Sequence, residues 1–363
     1  VSAHSQAPVF FLVPDGVDDR ERVSGGNVYD QRIRDGLAAD GWDARIIPAA
    51  DDGLGQTARA LSQLPNGALV LVDGLLLARE PEAIIDSGAR LRLVVLAHMV
   101  APGLDDRERA AFRAAQRVIA TSGWTRTELV AQDAADPHRI VVAHPGTDPA
   151  PATTASETGG RLLCVGAVTP LKGHDLLVRA LTDLTHLEGW SCTIVGSLAT
   201  APDWVAGLRA EVAAAALAER IEFAGVLTGG ALEDAYGRAD LVVMPSRLES
   251  YGMVVAEALA RGIPVLATDV GGISEAIAGS PAGLIVPPDD PWALSVVLRD
   301  WWTNPARRSE LKAAALKARD AARPWSTTTA IVEAALADTA READAFGEDV
   351  PAEHARAGAA TTP

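Results

Sequence analysis

Residues 241–269, "LVVMPSRLESYGMVVAEALARGIPVLATD", contain the unit from which the fold is read. Two short apolar runs, "LVVMPS" and "PVLATD", flank a stretch whose apolar residues recur with helical spacing. Continuous rather than alternating apolarity suits strands covered on both faces, and such strands pair in parallel through helical crossovers. Runs of the same kind recur along the whole chain. The first half holds "PVFFLVP", "ARIIPA", "ALVLVDG", "LRLVVLAH", "RVIATS" and "RIVVAHPG"; the second adds "RLLCVGA", "CTIVGS", "IEFAGV" and "AGLIVPP" to the two above. Alternating strands and helices predict an α/β chain built as two Rossmann-like, doubly wound parallel-sheet units.

The stretch "PAPATTASETGG", 149–160, lacks apolar periodicity and reads as a linker. It sets expected domains at 1–150 and 160–325. "WSTTTAIVEAALADTAREADA", after Pro324, reads as an amphipathic helix over 326–345, and 346–363 as a disordered tail.

Composition removes several function classes. The formal charge is −16, and the first 150 residues hold 15 Arg and no Lys against 21 Asp plus Glu. No basic stripe is available to track a nucleic acid or an anionic membrane. No apolar run reaches the roughly 20 residues of a membrane span. The start, "VSAHSQAPVF", has no basic segment leading into an apolar one, so no signal peptide is read there. The two cysteines, Cys164 and Cys192, sit in strand-like runs and read as buried thiols in a reducing cytoplasm.

In open parallel sheets, ligands bind beyond the carboxyl ends of the strands, so the residues at those ends are the candidates. Gly25 and Gly26 precede a helix expected to run to about Asp40. They read either as a tight turn or as a close approach to an anion at a helix start. Neither GxGxxG nor GxxxxGK[ST] is present. His98 closes the fourth strand, where a core histidine and a cleft-facing one are both compatible. Lys172 stands before a helix, placed to meet a diphosphate or simply to be solvated, and His174 is expected at the surface.

Glu249 and Glu257 stand eight apart, one ahead of the helix opened by Gly252 and one in its second turn. A carboxylate offers paired acceptors to vicinal hydroxyls. The amides around Tyr251, Gly252 and Met253 would take phosphates. A single ligand with phosphates in its middle and hydroxyls at both ends explains the spacing. Two solvated acids fit poorly, because Glu257 lies among Val254, Val255, Ala256, Ala258 and Leu259.

These residues resemble a known family. "ESYGMVVAE" is similar to the E-x7-E motif of the retaining GT-B glycosyltransferases of family 4 (glycosyl transferases group 1). The likeness extends through "SGGNVYDQRI", "ATSGWTRTEL", "HPGTD", "VGAVTPLKGHDLLVRAL" and "FAGVLTGGALEDAYGRAD". The resemblance implies two Rossmann-like domains facing across a cleft, with the final helix crossing back onto the first. It implies a glycine loop over the donor phosphates at Gly25 and Gly26, and a histidine at the reacting centre, His98. It places Lys172 on the diphosphate, Leu227 near the base, and Glu249 on the sugar hydroxyls. Ser250, Tyr251, Gly252 and Met253 then form the backbone cradle, and Glu257 binds the ribose.

One position departs from the family: Ala167 stands where an arginine is frequent, and Arg247 is the expected replacement. The implied reaction is retaining, metal-independent transfer from a nucleoside diphosphate sugar to a small soluble acceptor, without a cofactor. A non-catalytic nucleotide-sugar-binding homologue and a phosphorylase or hydrolase on the same fold remain open at this point. Neither the acceptor nor the oligomeric state is legible.

Overall fold

A computed structural model describes residues 8–19, 23–50, 55–154 and 156–347. All twelve apolar runs are strands. β1 (Val9–Pro14), β2 (Ala44–Ala49), β3 (Leu69–Asp73), β4 (Arg92–Ala97), β5 (Arg117–Ala120) and β6 (Ile140–Val142) form one parallel sheet in the order β2-β1-β3-β4-β5-β6. β7 (Arg161–Val165), β8 (Ser191–Val195), β9 (Ile221–Gly225), β10 (Leu241–Met244), β11 (Val265–Thr268) and β12 (Gly283–Val286) form a second, ordered β12-β11-β10-β7-β8-β9. The architecture is the two-sheet α/β GT-B fold.

Strand composition follows from helices on both faces. In the first sheet, Leu12, Val70, Val72, Leu93 and Val95 pack on one side, while Val9, Phe11, Leu71, Val94 and Leu96 pack on the other. Burying each such side chain contributes about 1.5–3 kcal/mol, so neither face tolerates the alternating polar residues of a half-exposed strand.

Each sheet reverses its winding at one place, between β1 and β3 in the first and between β7 and β10 in the second. Adjacent loops diverge at such a switch point and leave a crevice. Every candidate charge described below follows one of the switch strands or its immediate neighbour.

The last helix runs Trp325–Gly347 and packs on the first sheet, not the second. Its Val332, Ala335 and Leu336 share a core with Phe11, Ile33 and Ile119. Gly36 permits the crossing: a Cβ there would lie 2.3 Å from Thr329 Oγ1. The 149–160 stretch lacks regular structure but is tied down. Thr153 N–H donates to the Arg261 carbonyl at 2.9 Å, and buried Asp240 accepts from Ser156 N–H and Oγ, each at 2.6 Å. Of the tail expected at 346–363, residues 348–363 lie outside the described residues.

Candidate active site

The second sheet supplies the denser half. After β7 a short turn, Pro170–Lys172, leads through Gly173 into the helix His174–Thr182. Gly173 has φ +65°, and a Cβ there would stand 1.9 Å from the Pro245 carbonyl oxygen. Only glycine lets this turn touch the loop after β10. The contact puts Lys172 Nζ on Glu249 Oε1 in an ion pair, and Ser246 Oγ donates to the same oxygen at 3.1 Å. The pair's two members come from the two strands that flank the switch point.

One expectation is corrected here. His174 is fully buried rather than on the surface, because the Gly173 contact pulls the helix start inward. Burial, with Lys172 nearby, pushes its pKa down to about 4, so the ring is neutral; neither ring nitrogen has a protein partner. Arg247, the expected replacement for the arginine absent at Ala167, has its guanidinium on other partners in this structure. Its guanidinium grips Asp175 with two bonds of 2.8 Å and also bonds Asp289 at 2.6 Å and the Pro170 carbonyl at 2.6 Å. Its own N–H donates to the Leu171 carbonyl at 2.8 Å. Arg247 therefore fastens the turn that carries Lys172.

Ser250 and buried Tyr251 lead into Gly252, which adopts φ +92° and opens the helix Met253–Ala260. No side chain caps that helix start; the Val255 amide donates to the Gly252 carbonyl at 2.9 Å, which leaves the Met253 and Val254 amides as a place for an anion. In this helix Glu257 is held by two groups. Tyr236 donates its hydroxyl to Oε2 at 2.7 Å, and Arg261 bonds the Glu257 carbonyl at 2.9 Å while covering the Tyr236 ring at 4.4 Å. Burial raises the Glu257 pKa, against the lowering effects of Tyr236 and Arg261.

On the first sheet, Ser24 caps the helix Gly25–Ala39, so Gly25 and Gly26 form its first turn rather than preceding it. A Cβ on Gly25 would lie 3.4 Å from Met253 Sδ, and one on Gly26 would lie 3.5 Å from the His98 ring. The two helix starts therefore face each other across the cleft, with His98 directly beneath one of them.

His98 Nε2 is 2.7 Å from Asp30 Oδ1 and 3.7 Å from Asp73 Oδ2. The ring meets Tyr29 edge-on at 5.2 Å. Burial alone would lower the His98 pKa, but Asp30 and Asp73 overcome it and raise the value to about 9. Burial pushes Asp73 up to about 7. Among the described residues, these three are the one group of His, Cys, Asp or Glu whose ligating atoms gather within 4.8 Å. A divalent ion there would have to break the Asp30–His98 hydrogen bond.

Between the halves lies a cavity of about 460 Å³ lined by Asn27, Arg32, Asp148, Leu227, Glu257 and Trp325, among others. It brings Leu227 and Glu257 to one wall and the Gly25 helix to the other. Lys172, Glu249 and His98 do not line this cavity, nor do they line a larger groove of about 520 Å³ behind the Met253 helix. The halves are joined at Glu275, which accepts from the amides of Gly123 at 2.7 Å and Trp124 at 2.8 Å and meets His144 Nε2 at 2.8 Å.

Sequence reasoning missed Asp30, Asp73, Tyr236, Arg261 and Glu275. Asp73 carried the clearest signal, as an acid closing the apolar run "LVLVD" at a strand's carboxyl end.

Residues 150–318 match the family model described as Glycosyl transferases group 1. The D-inositol 3-phosphate glycosyltransferase of Kineococcus radiotolerans is 34% identical over 239 residues, covering 58% of this chain and 54% of that protein. The protein of the same name from Gordonia bronchialis is 36% identical over 189 residues, 47% of this chain and 41% of the other. The chain spans about half the length of the curated relatives it matches. Among solved structures, the sucrose-phosphate synthase of Thermosynechococcus elongatus superposes with a TM-score of 0.75 at 20% identity, over 95% of this chain and 100% of that one. Anabaena HepE in complex with UDP-glucose gives 0.74 at 18%, over 92% and 100%. None of the described helices is long and apolar enough to cross a membrane.

Proposed function

We propose that this chain, whose residues 150–318 belong to the glycosyl transferases group 1 family on a GT-B fold, moves a sugar from a nucleoside diphosphate donor to a small polyhydroxylated acceptor with retention at the anomeric carbon. One observation carries the reading: the starts of the Gly25 and Met253 helices face each other, with Lys172 and Glu249 following the switch strands β7 and β10 and His98 following β4, the neighbour of switch strand β3. Two helix N-termini and a lysine suit a diphosphate, and the flanking carboxylates suit hydroxyls on either side of it.

In this reading the ribose meets Glu257 and the base lies beside Leu227. The donor's diphosphate draws Lys172 from Glu249, and Glu249 turns to the sugar hydroxyls. As the bond from the anomeric carbon to the phosphate oxygen breaks, its electron pair stays on the diphosphate, where Lys172 and the helix amides stabilise it. The acceptor oxygen bonds to the same face of the sugar and passes its proton to the departing phosphate. The matched relatives are named D-inositol 3-phosphate glycosyltransferases, which supports a soluble polyol as the acceptor class proposed here.

A panel of nucleoside diphosphate sugars, with release of nucleoside diphosphate as the readout and with and without EDTA, tests the reading. Turnover of one donor at an undiminished rate in EDTA is expected. A requirement for Mg²⁺ or Mn²⁺ would overturn the metal-free step, and failure to bind any donor would overturn the whole.

A further inference from the structure

Asp30 and Asp73 have no part in the proposed reaction, yet both are almost completely buried beside His98, which stands under the Gly25–Gly26 turn at the cleft. Buried carboxylates are costly unless their oxygens find partners. Asp30 Oδ1 meets His98, and Asp73 Oδ1 accepts from the Leu75 amide at 2.6 Å. Oδ2 of each lacks a hydrogen-bond partner. A second proton on the ring makes both imidazole nitrogens donors and sets a cation against the two carboxylates. The ring is the member of the group that reaches the surface, its side chain 11% exposed against 1% for either acid.

We infer that Asp30 and Asp73 are positioning residues that hold His98 in one orientation as a doubly protonated ring beneath the Gly25–Gly26 turn, a fixed cation for the donor's phosphate–sugar junction. The inference rests on the glycosyl-transfer reading. With Nε2 spent on Asp30, Nδ1–H is the ring's remaining donor. The groups facing the ring are Asp30 and Tyr29 from the Gly25 helix and Asp73 from the end of β3. The Thr121 hydroxyl, after β5, meets the His98 carbonyl, and Met253 across the cleft is neutral. The two carboxylates outweigh burial and raise the ring's pKa to about 9, so it stays charged through neutral pH. On the other side of the cleft, Ala167 stands where the family resemblance expects a cation and Arg247 is committed to Asp175 and Asp289. His98 then supplies from the first sheet a charge the second sheet lacks.

The test follows the His98 ring by ¹⁵N NMR in the full chain without ligand, alongside kcat against pH, UDP binding by calorimetry and thermal melting. In the unsubstituted protein the ring should titrate with a midpoint near 9. Asp30→Asn should bring that midpoint down by two units or more, and Asp73→Asn by less. Asp30→Asn should lower kcat at least tenfold at pH 8 and less at pH 6, and Asp30→Glu should recover most of the loss. A neutral ring at pH 7.5 in the unsubstituted protein overturns the inference whether or not the variants fold. So does an unmoved midpoint in Asp30→Asn, or one-to-one Zn²⁺ uptake that Asp73→Asn abolishes. A ring that titrates as expected in a protein that neither binds UDP nor turns over any donor removes the role toward the donor. That result locates the failure in the glycosyl-transfer reading, not in the charge state.

Discussion

At the end of the second sheet, Lys172 and Glu249 are each other's partners, the lysine partly exposed and the carboxylate nearly buried, and the proposed function brings the donor to both. At the end of the first, Asp30 and Asp73 lie behind His98 and are shut off from solvent. The first arrangement is exchangeable: a ligand bearing a diphosphate and hydroxyls can replace each member's partner with a better one. The second is fixed, because carboxylates with no route to solvent act only through the ring before them. A paired lysine on one side and a clamped histidine on the other divide the cleft into a half that rearranges and a half that does not.

The largest effect should come from the exchangeable side. Lys172→Ala should lower kcat by about 10²–10³, the typical loss for one electrostatic donor at a developing charge. Donor affinity should change far less, since the leaving diphosphate gains its charge as the bond breaks. Steady-state kinetics with the donor found in the panel measures both. A normal kcat would show that the pair with Glu249 is permanent and would erase the contrast between the halves.

Glu257 comes next. Glu257→Ala should weaken nucleoside diphosphate binding by about 1.5–3 kcal/mol, the scale of hydrogen bonds to a charged group, as read by calorimetry. Tyr236→Phe, which removes one donor to the carboxylate and leaves the charge, should cost about 0.5–1.5 kcal/mol. Because burial raises the Glu257 pKa, binding should weaken as pH falls through that raised value, at a higher pH than an exposed carboxylate would allow. Equal losses from both substitutions would mean that the carboxylate braces Tyr236 instead of meeting a ligand.

What the sequence made legible follows from how local each cause is. The strands were readable because coverage on both faces forces continuous apolar runs. The positions of Lys172, Glu249 and Glu257 in the fold were readable because each needs only a strand end and the start of the next helix. Asp30 was not: its partner His98 is 68 residues away, and only the strand order β1-β3-β4 brings them together. His174 was misplaced for a like reason, since its burial depends on Gly173 touching Pro245, 72 positions along the chain. Arg247 was assigned to the cleft by nearness in sequence, yet Asp175, also 72 positions distant, holds its guanidinium.

Arg247 sharpens the account of the rearranging half. Arg247→Ala should reduce kcat about tenfold or less, the worth of one ordinary hydrogen bond, by loosening the turn under Lys172. If it acts only through that turn, Lys172→Ala with Arg247→Ala should be scarcely slower than Lys172→Ala alone. Losses that multiply would instead return Arg247 to the diphosphate.

The smallest effect belongs to the seam between the halves. Glu275 reaches from the second half to the amides of Gly123 and Trp124, the start of the first half's helix Gly123–Ala131, and to His144. Ser122 caps that helix at Thr125 and Glu275 takes the two amides before it, so Glu275→Ala should cost about 0.5–2 kcal/mol of stability at pH 7, the range for loss of a helix-start acceptor. Burial acts to raise its pKa, but the bonds from His144, Gly123 and Trp124 outweigh it and hold the carboxyl below its ordinary 4.5. A depressed folded-state pKa contributes stability that is complete above the unfolded value and lost as pH falls through the folded one. The difference in Tm between the unsubstituted protein and Glu275→Ala should therefore be constant from pH 7 down to about 5, then narrow in more acidic solution. A difference unchanged at pH 3 would mean that the side chain's packing, not its charge, joins the halves. The ionic seam would then give no reason for the rearranging half to hold its station against the fixed one.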